Sequence, residues 1–216
     1  MKFSWDNKLF QALGKMVDCM ALSALWVLCS LPLFTFGAST SALYYAIHKS
    51  VRGNRGYMTK NFFHAFTKGF KQSTLSWLVL LVVQIILGMD AYITFQTLKT
   101  GNKMGVFFYF FLIMIAFSII WGCYIFPYAA RFEDSVKATL KNAFFMMIIH
   151  LPWSLLILVL FVAAVLVIYF FPVLIFLIPA LLFLTYDGIL ERIFRKYMSE
   201  EDLEKEKEND LADRMD

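Results

Sequence analysis

Residues 143–186 carry no Asp, Glu, Lys or Arg, and His150 is the only imidazole among them. A helix needs ~20 apolar residues to cross a bilayer, so this run accommodates two crossings. Pro172, beside Tyr169, Phe170 and Phe171, marks the turn between them. The run shows no period-2 alternation, so it reads as helical, and helices satisfy their own backbone groups inside lipid. Earlier apolar stretches extend the pattern, giving spans at about 17–36, 73–95, 106–126, 153–171 and 173–190. The expected fold is an all-α polytopic integral membrane protein with about five transmembrane helices. Residues 1–190 form one helical membrane domain, and 191–216 form a charged cytoplasmic tail.

The stretches between spans are amphipathic. In 1–16, Phe3, Trp5, Leu9, Phe10 and Leu13 share a helical face from which Lys8 and Lys15 turn away, the pattern of an interfacial helix. The segment 41–47 is too short to cross. It predicts a helix lying against the membrane or the protein, started by Ser39 or Thr40 as a cap. The run Gly-Asn-Arg-Gly at 53–56 predicts a turn. In 58–72, Phe62, Phe63, Phe66 and Phe70 fall on one helical face, and Lys60, His64, Lys68 and Lys71 fall on the other. Pro127 is expected to end the third span. In the connector after it, Glu133 and Lys137 sit four apart.

Composition agrees with a membrane class: 60% of the 216 residues are hydrophobic and the mean hydropathy is +0.66, against roughly 45–50% apolar residues in soluble domains. The net charge of +4 matters less than its placement. Lys and Arg number three before the first span, six in the first connector, two in the second, three in the third, none in the fourth and six in the tail. Positive residues favour the cytoplasm. A cytoplasmic tail puts fifteen of them inside and five outside. If the first apolar segment is instead a re-entrant hairpin, its leader joins the inside and the split is eighteen to two. A true crossing is the expectation. A cleaved secretory leader fits less well, because the leader is long and cleavage would strand the basic connector outside the cell.

The stretch Leu31-Pro32-Leu33-Phe34-Thr35-Phe36-Gly37-Ala38-Ser39-Thr40-Ser41-Ala42-Leu43-Tyr44-Tyr45, with Val51-Arg52-Gly53, Gly56-Tyr57 and the Phe-rich segment after them, resembles the YesL family of small bacterial membrane proteins. The resemblance runs through nearly the whole chain and is most specific at Pro32, Gly37, Ser39, Thr40, Tyr44 and Tyr45. That family is typical of Firmicutes, and its genes tend to lie beside carbohydrate ABC importers and glycan-degrading enzymes. The resemblance implies a role in glycan uptake and brings no catalytic residues with it.

The candidate chemistry is sparse. The three Cys, at 19, 29 and 123, form no C-x-x-C pair. No His or Cys spacing suits zinc, so no metal or cofactor is expected. A phosphate-binding loop is absent, and nucleic acid is not an expected partner. Asp18, Asp90 and Asp187 lie near predicted span ends, where interfacial water would solvate them; Gln84 lies deeper and suits an interhelical hydrogen bond. The leading expectation is a non-catalytic accessory subunit that contacts the permease subunits of a carbohydrate ABC importer, with their ATPase and solute-binding protein as further expected partners. The alternative is an independent homo-oligomeric transporter or channel for sugars. Phe62, Phe63, Phe66 and Phe70 are the candidate partner contacts. Lys60, Lys68 and Lys71 are the candidate contacts with the lipid surface.

Overall fold

The computed structural model describes residues 8–53, 57–198, 200 and 203–204, and these are mostly helical with no strand among them. In chain order the helices are α1 (Lys8–Ser30), α2 (Phe36–Ala46), α3 (Met58–Lys68), α4 (Phe70–Lys99), α5 (Phe107–Arg131), α6 (Val136–Ile149), α7 (Leu151–Phe170) and α8 (Ile178–Phe194). Four segments are long and apolar enough to cross a membrane: Leu13–Ser30, Phe70–Lys99, Lys103–Arg131 and Leu151–Phe170. The chain is therefore an all-α polytopic membrane protein. The interfacial pattern at 1–7, the turn at 54–56 and most of the tail lie outside the described residues.

The first expected span, 17–36, is not one helix. α1 ends at Ser30, a 3-10 turn occupies Leu33–Thr35, and α2 runs back along α1. The Thr35 hydroxyl closes the turn by donating to the Cys29 and Pro32 carbonyls at 2.6 and 2.7 Å. Trp26 Nε1 of α1 then donates to Thr40 Oγ1 of α2 at 3.1 Å. Leu31, Leu33 and Phe34 at the tip point outward. The tip lies alongside α4, where Trp77 Nε1 donates to the Leu33 carbonyl at 2.8 Å. Trp77 is seven residues into α4, about 10 Å from its start at 1.5 Å per residue.

α2 sits inside the protein, in contact with α1, α3, α4, α5 and α8. It begins at Phe36, so Ser39 and Thr40 are interior residues of the helix and cap nothing. Small residues allow this placement, as in membrane helix packing generally. A Cβ on Gly37 would stand 2.4 Å from the Ser73 carbonyl oxygen and 2.5 Å from Trp77 Cβ, so only glycine lets α2 approach α4 this closely. One turn on, Ser73 Oγ donates to Ser41 Oγ at 2.9 Å. α2 continues into a single π-helical turn, Ile47–Arg52.

Three further differences have local causes. α5 passes through Pro127 to Arg131; the ring removes one helical hydrogen bond, and the packed neighbours hold the helix on course. The segment 58–72 is split at Gly69, so Phe70 and Lys71 belong to α4. The last apolar segment starts with a 3-10 turn, Pro172–Phe176, and continues as α8, shifted toward the C-terminus relative to 173–190. α8 packs back on α7, with Tyr186 donating to the Ile157 carbonyl at 2.8 Å. Ser23 of α1 accepts from the Ala180 N–H at 3.1 Å, one of the donors that a helix start leaves unpaired.

These contacts collect the polar segments at one end of the bundle. Gln72, at the start of α4, donates to the Phe132 carbonyl and to Thr139 Oγ1 at 3.1 and 2.7 Å. Lys68 pairs with Glu133. At the opposite end lie the turns around 100–106 and 171–177.

Candidate functional site

Two helical stripes of ionisable groups meet at the polar end. Tyr44, His48 and Arg52 recur every four residues through α2 and its π turn; Asp187 and Glu191 sit four apart on α8. Each stripe therefore occupies one face of its helix. His48 Nδ1 lies 2.7 Å from Asp187 Oδ1 and 3.6 Å from Glu191 Oε1. With a carboxylate on that side, Nδ1 is the protonated ring nitrogen. Arg52 Nη1 donates to Asp187 Oδ2 at 2.7 Å. The Tyr44 hydroxyl donates to Glu191 Oε1 at 3.0 Å.

α5 contributes the third side. Arg131 Nη2 donates to Glu191 Oε2 at 3.1 Å, and its Nε lies 2.9 Å from Oε1, an ion pair in which the Nη2 contact is the hydrogen bond. Asp187 and Tyr44 are wholly buried, and the Arg131 side chain is 10% exposed. The Arg52 side chain is 49% exposed, so it reaches Asp187 from the surface. A Cβ on Gly188 would stand 3.2 Å from Arg52 Nη1, so this glycine leaves room for the guanidinium to lie across α8.

Buried charges are costly unless paired and hydrogen-bonded. Here two carboxylates face two guanidinium groups, an imidazole and a phenol. His48, Asp187 and Glu191 offer donor atoms within 4.8 Å of one another, a spacing that also suits a metal ion. Both carboxylates already bond to arginine, however, and a dication at that point would have to displace those contacts. The arrangement is best suited to joining α2, α5 and α8.

Asp187 is thus fully buried and paired, which corrects its expected solvation at a span end. Asp18 and Asp90 are half-buried on α1 and α4. Gln84 makes the interhelical bond expected of it, to Ser118 Oγ at 3.1 Å. His150 caps the end of α6, with its ring against Tyr197.

The Phe stripe divides. Phe62 is fully buried in the core, Phe66 and Phe70 are half-buried, and Phe63 faces outward at 47% exposure. Most of the expected contact face is therefore covered by the protein itself. Lys60 and Lys71 are exposed. Among the resembling positions, Pro32 lies at the hairpin tip, Gly37, Ser39, Thr40 and Tyr44 are buried, and Tyr45 packs against His64. Of the five charged and imidazole members of the cluster, sequence reasoning weighed only Asp187 within the membrane; the repeated four-residue spacing of both stripes was the available signal.

No curated protein and no solved structure matches this chain. Residues 19–91 match DUF624, a protein family of unknown function, and that stretch holds the second half of α1, α2, α3 and most of α4, with Tyr44, His48 and Arg52 but not their partners on α5 and α8.

Proposed function

We propose that the chain is a non-catalytic accessory subunit of a carbohydrate ABC importer in the bacterial cell membrane, where it stabilises or regulates the permease subunits. The sugar-import part of this proposal rests on the resemblance to the YesL family. The scaffold part rests on one observation: the buried charge cluster is consumed by internal pairing, and it fixes the hairpin to α5 and α8. The polar end is then a rigid face on which Tyr57, Phe63, Lys60 and His64 of the α3 region remain exposed for a partner.

That face is assigned to the cytoplasm, together with the C-terminus. Basic residues crowd it, whereas Lys99 and Lys103 flank the turn at the opposite end. The α1–α2 pair is assigned as a re-entrant hairpin, which places the start of α1 on the same side.

The test is purification of the tagged chain in a mild detergent, with identification of the proteins retained. Permease and solute-binding subunits in stoichiometric yield would support the proposal. A homo-oligomer alone would refute it and favour the independent channel.

A further inference from the structure

Where α5 ends and α6 begins, the polar end contains a cavity of about 360 Å³. Four of its lining residues are aromatic: Tyr128, Phe132, Phe145 and Tyr197. Tyr128 and Phe132 stack with centroids 4.5 Å apart. Asp134 and Asn142 also line it. The Tyr128 hydroxyl donates to Asp134 Oδ2 and accepts from Asn142 Nδ2, the latter at 2.8 Å. Among the described residues no Lys, Arg or His pairs with Asp134. Asp134 is exposed, so its carboxylate is accessible at the cavity. A carboxylate and several aromatic side chains lining one cavity supply the chemistry that recognises an organic cation.

Two further observations narrow the ligand. One wall of the cavity is apolar and exposed: Phe145 and Ile149 line it and point outward, as do Phe144 and Ile148 on α6. A lysine and a histidine also flank it. Lys141 Nζ lies 6.0 Å from the Phe145 ring centroid, and the His150 ring lies 6.0 Å from that of Tyr197. A ligand that suits all three surfaces has an ammonium, an adjacent phosphate and an apolar tail.

We propose that this cavity binds the headgroup of an ammonium phospholipid of the phosphatidylethanolamine class. The ammonium contacts Asp134 and the aromatic faces, the phosphate lies toward Lys141 and His150, and the acyl chains run along the outward side of α6.

The experiment uses the full chain in nanodiscs of phosphatidylethanolamine and phosphatidylglycerol in equal amounts. The protein is then re-extracted in a mild detergent and its retained lipid is measured by native mass spectrometry. The wild type should retain phosphatidylethanolamine in preference to phosphatidylglycerol. Asp134→Asn keeps an acceptor for the Tyr128 hydroxyl and removes the charge. It should lower phosphatidylethanolamine retention roughly three- to tenfold and leave phosphatidylglycerol unchanged. Tyr197→Ala, in the exposed turn after α8, should also lower it, and this variant decides the matter if Asp134→Asn does not fold. Equal retention of the two lipids by the wild type would overturn the proposal. So would wild-type retention by a folded Asp134→Asn or, in its place, by Tyr197→Ala. Displacement of the lipid by soluble glycerophosphoethanolamine at matched concentration would identify a soluble amine as the ligand and overturn the lipid assignment.

Discussion

Replacing Glu191 with Gln keeps the shape of the side chain and removes its charge. Arg131, 10% exposed, then loses the carboxylate charge that its guanidinium meets at 2.9 and 3.1 Å. Removing one partner of a buried pair costs ~3–5 kcal/mol, and the Glu191→Gln loss should lie in that range. Asp187→Asn also forfeits two contacts at 2.7 Å, but there one partner has an escape. Arg52 is 49% exposed and can turn to water. Its cost should be about half as large, ~1.5–2.5 kcal/mol. The combined variant Tyr44→Phe, Arg131→Met, Glu191→Leu removes the Glu191 carboxylate together with its Tyr44 and Arg131 partners. It should be more stable than Glu191→Gln alone, because apolar replacement of a whole buried network is often neutral or favourable. The assay is an unfolding titration in mixed micelles, followed by tryptophan fluorescence. A Glu191→Gln loss under ~1 kcal/mol, or a combined variant less stable than the single one, would refute the assignment of this cluster as the tie between α2, α5 and α8.

Gly37→Leu should open the α2–α4 contact, since the new side chain meets backbone at 2.4 Å; a loss of at least ~1–3 kcal/mol is expected in the same titration, and unchanged stability would refute the close approach. Phe62→Ala should cost ~3–5 kcal/mol from its fully buried site. Phe63→Ala should leave stability within ~0.5 kcal/mol and lower co-purification of the importer subunits; full wild-type yield would remove α3 as the docking face. Single cysteines in a cysteine-free background should place residue 15 and residue 196 on the cytoplasmic side and residue 101 outside. Labelling of residue 15 from outside would show that α1 crosses the membrane.

The apolar segments of α4, α5 and α7 were legible because a run of ~20 uncharged residues has few other physical explanations. The hairpin was less so. Hydropathy measures how apolar a stretch is and not where its end lies, so Val17 to Phe36 reads as a span although the helix stops at Ser30. α2 was harder still. Gly37, Ser39, Thr40 and Ser41 look polar in sequence, yet in a membrane protein small residues mark the tightest packing, and α2 is buried. The Phe stripe identified the buried side of α3 through Phe62, but periodicity cannot tell a lipid or partner contact from the protein's own core. The charge cluster was hidden by separation in the chain: His48 and Asp187 are 139 residues apart, and each alone looks like an interfacial charge.

That separation has a consequence for the order of events during synthesis. The hairpin emerges early, with Tyr44, His48 and Arg52 on its returning arm, while Asp187 and Glu191 arrive with the last helix of the bundle. At ~5–20 residues per second, the 139 residues between His48 and Asp187 take roughly 7–28 s to make. During that interval the hairpin holds ionisable groups near lipid with no acidic partner on α8. Completion of the last helix supplies the carboxylates that Tyr44, His48 and Arg52 contact, and a chain truncated before α8 lacks them, a defect of a kind that membrane quality-control proteases can act on.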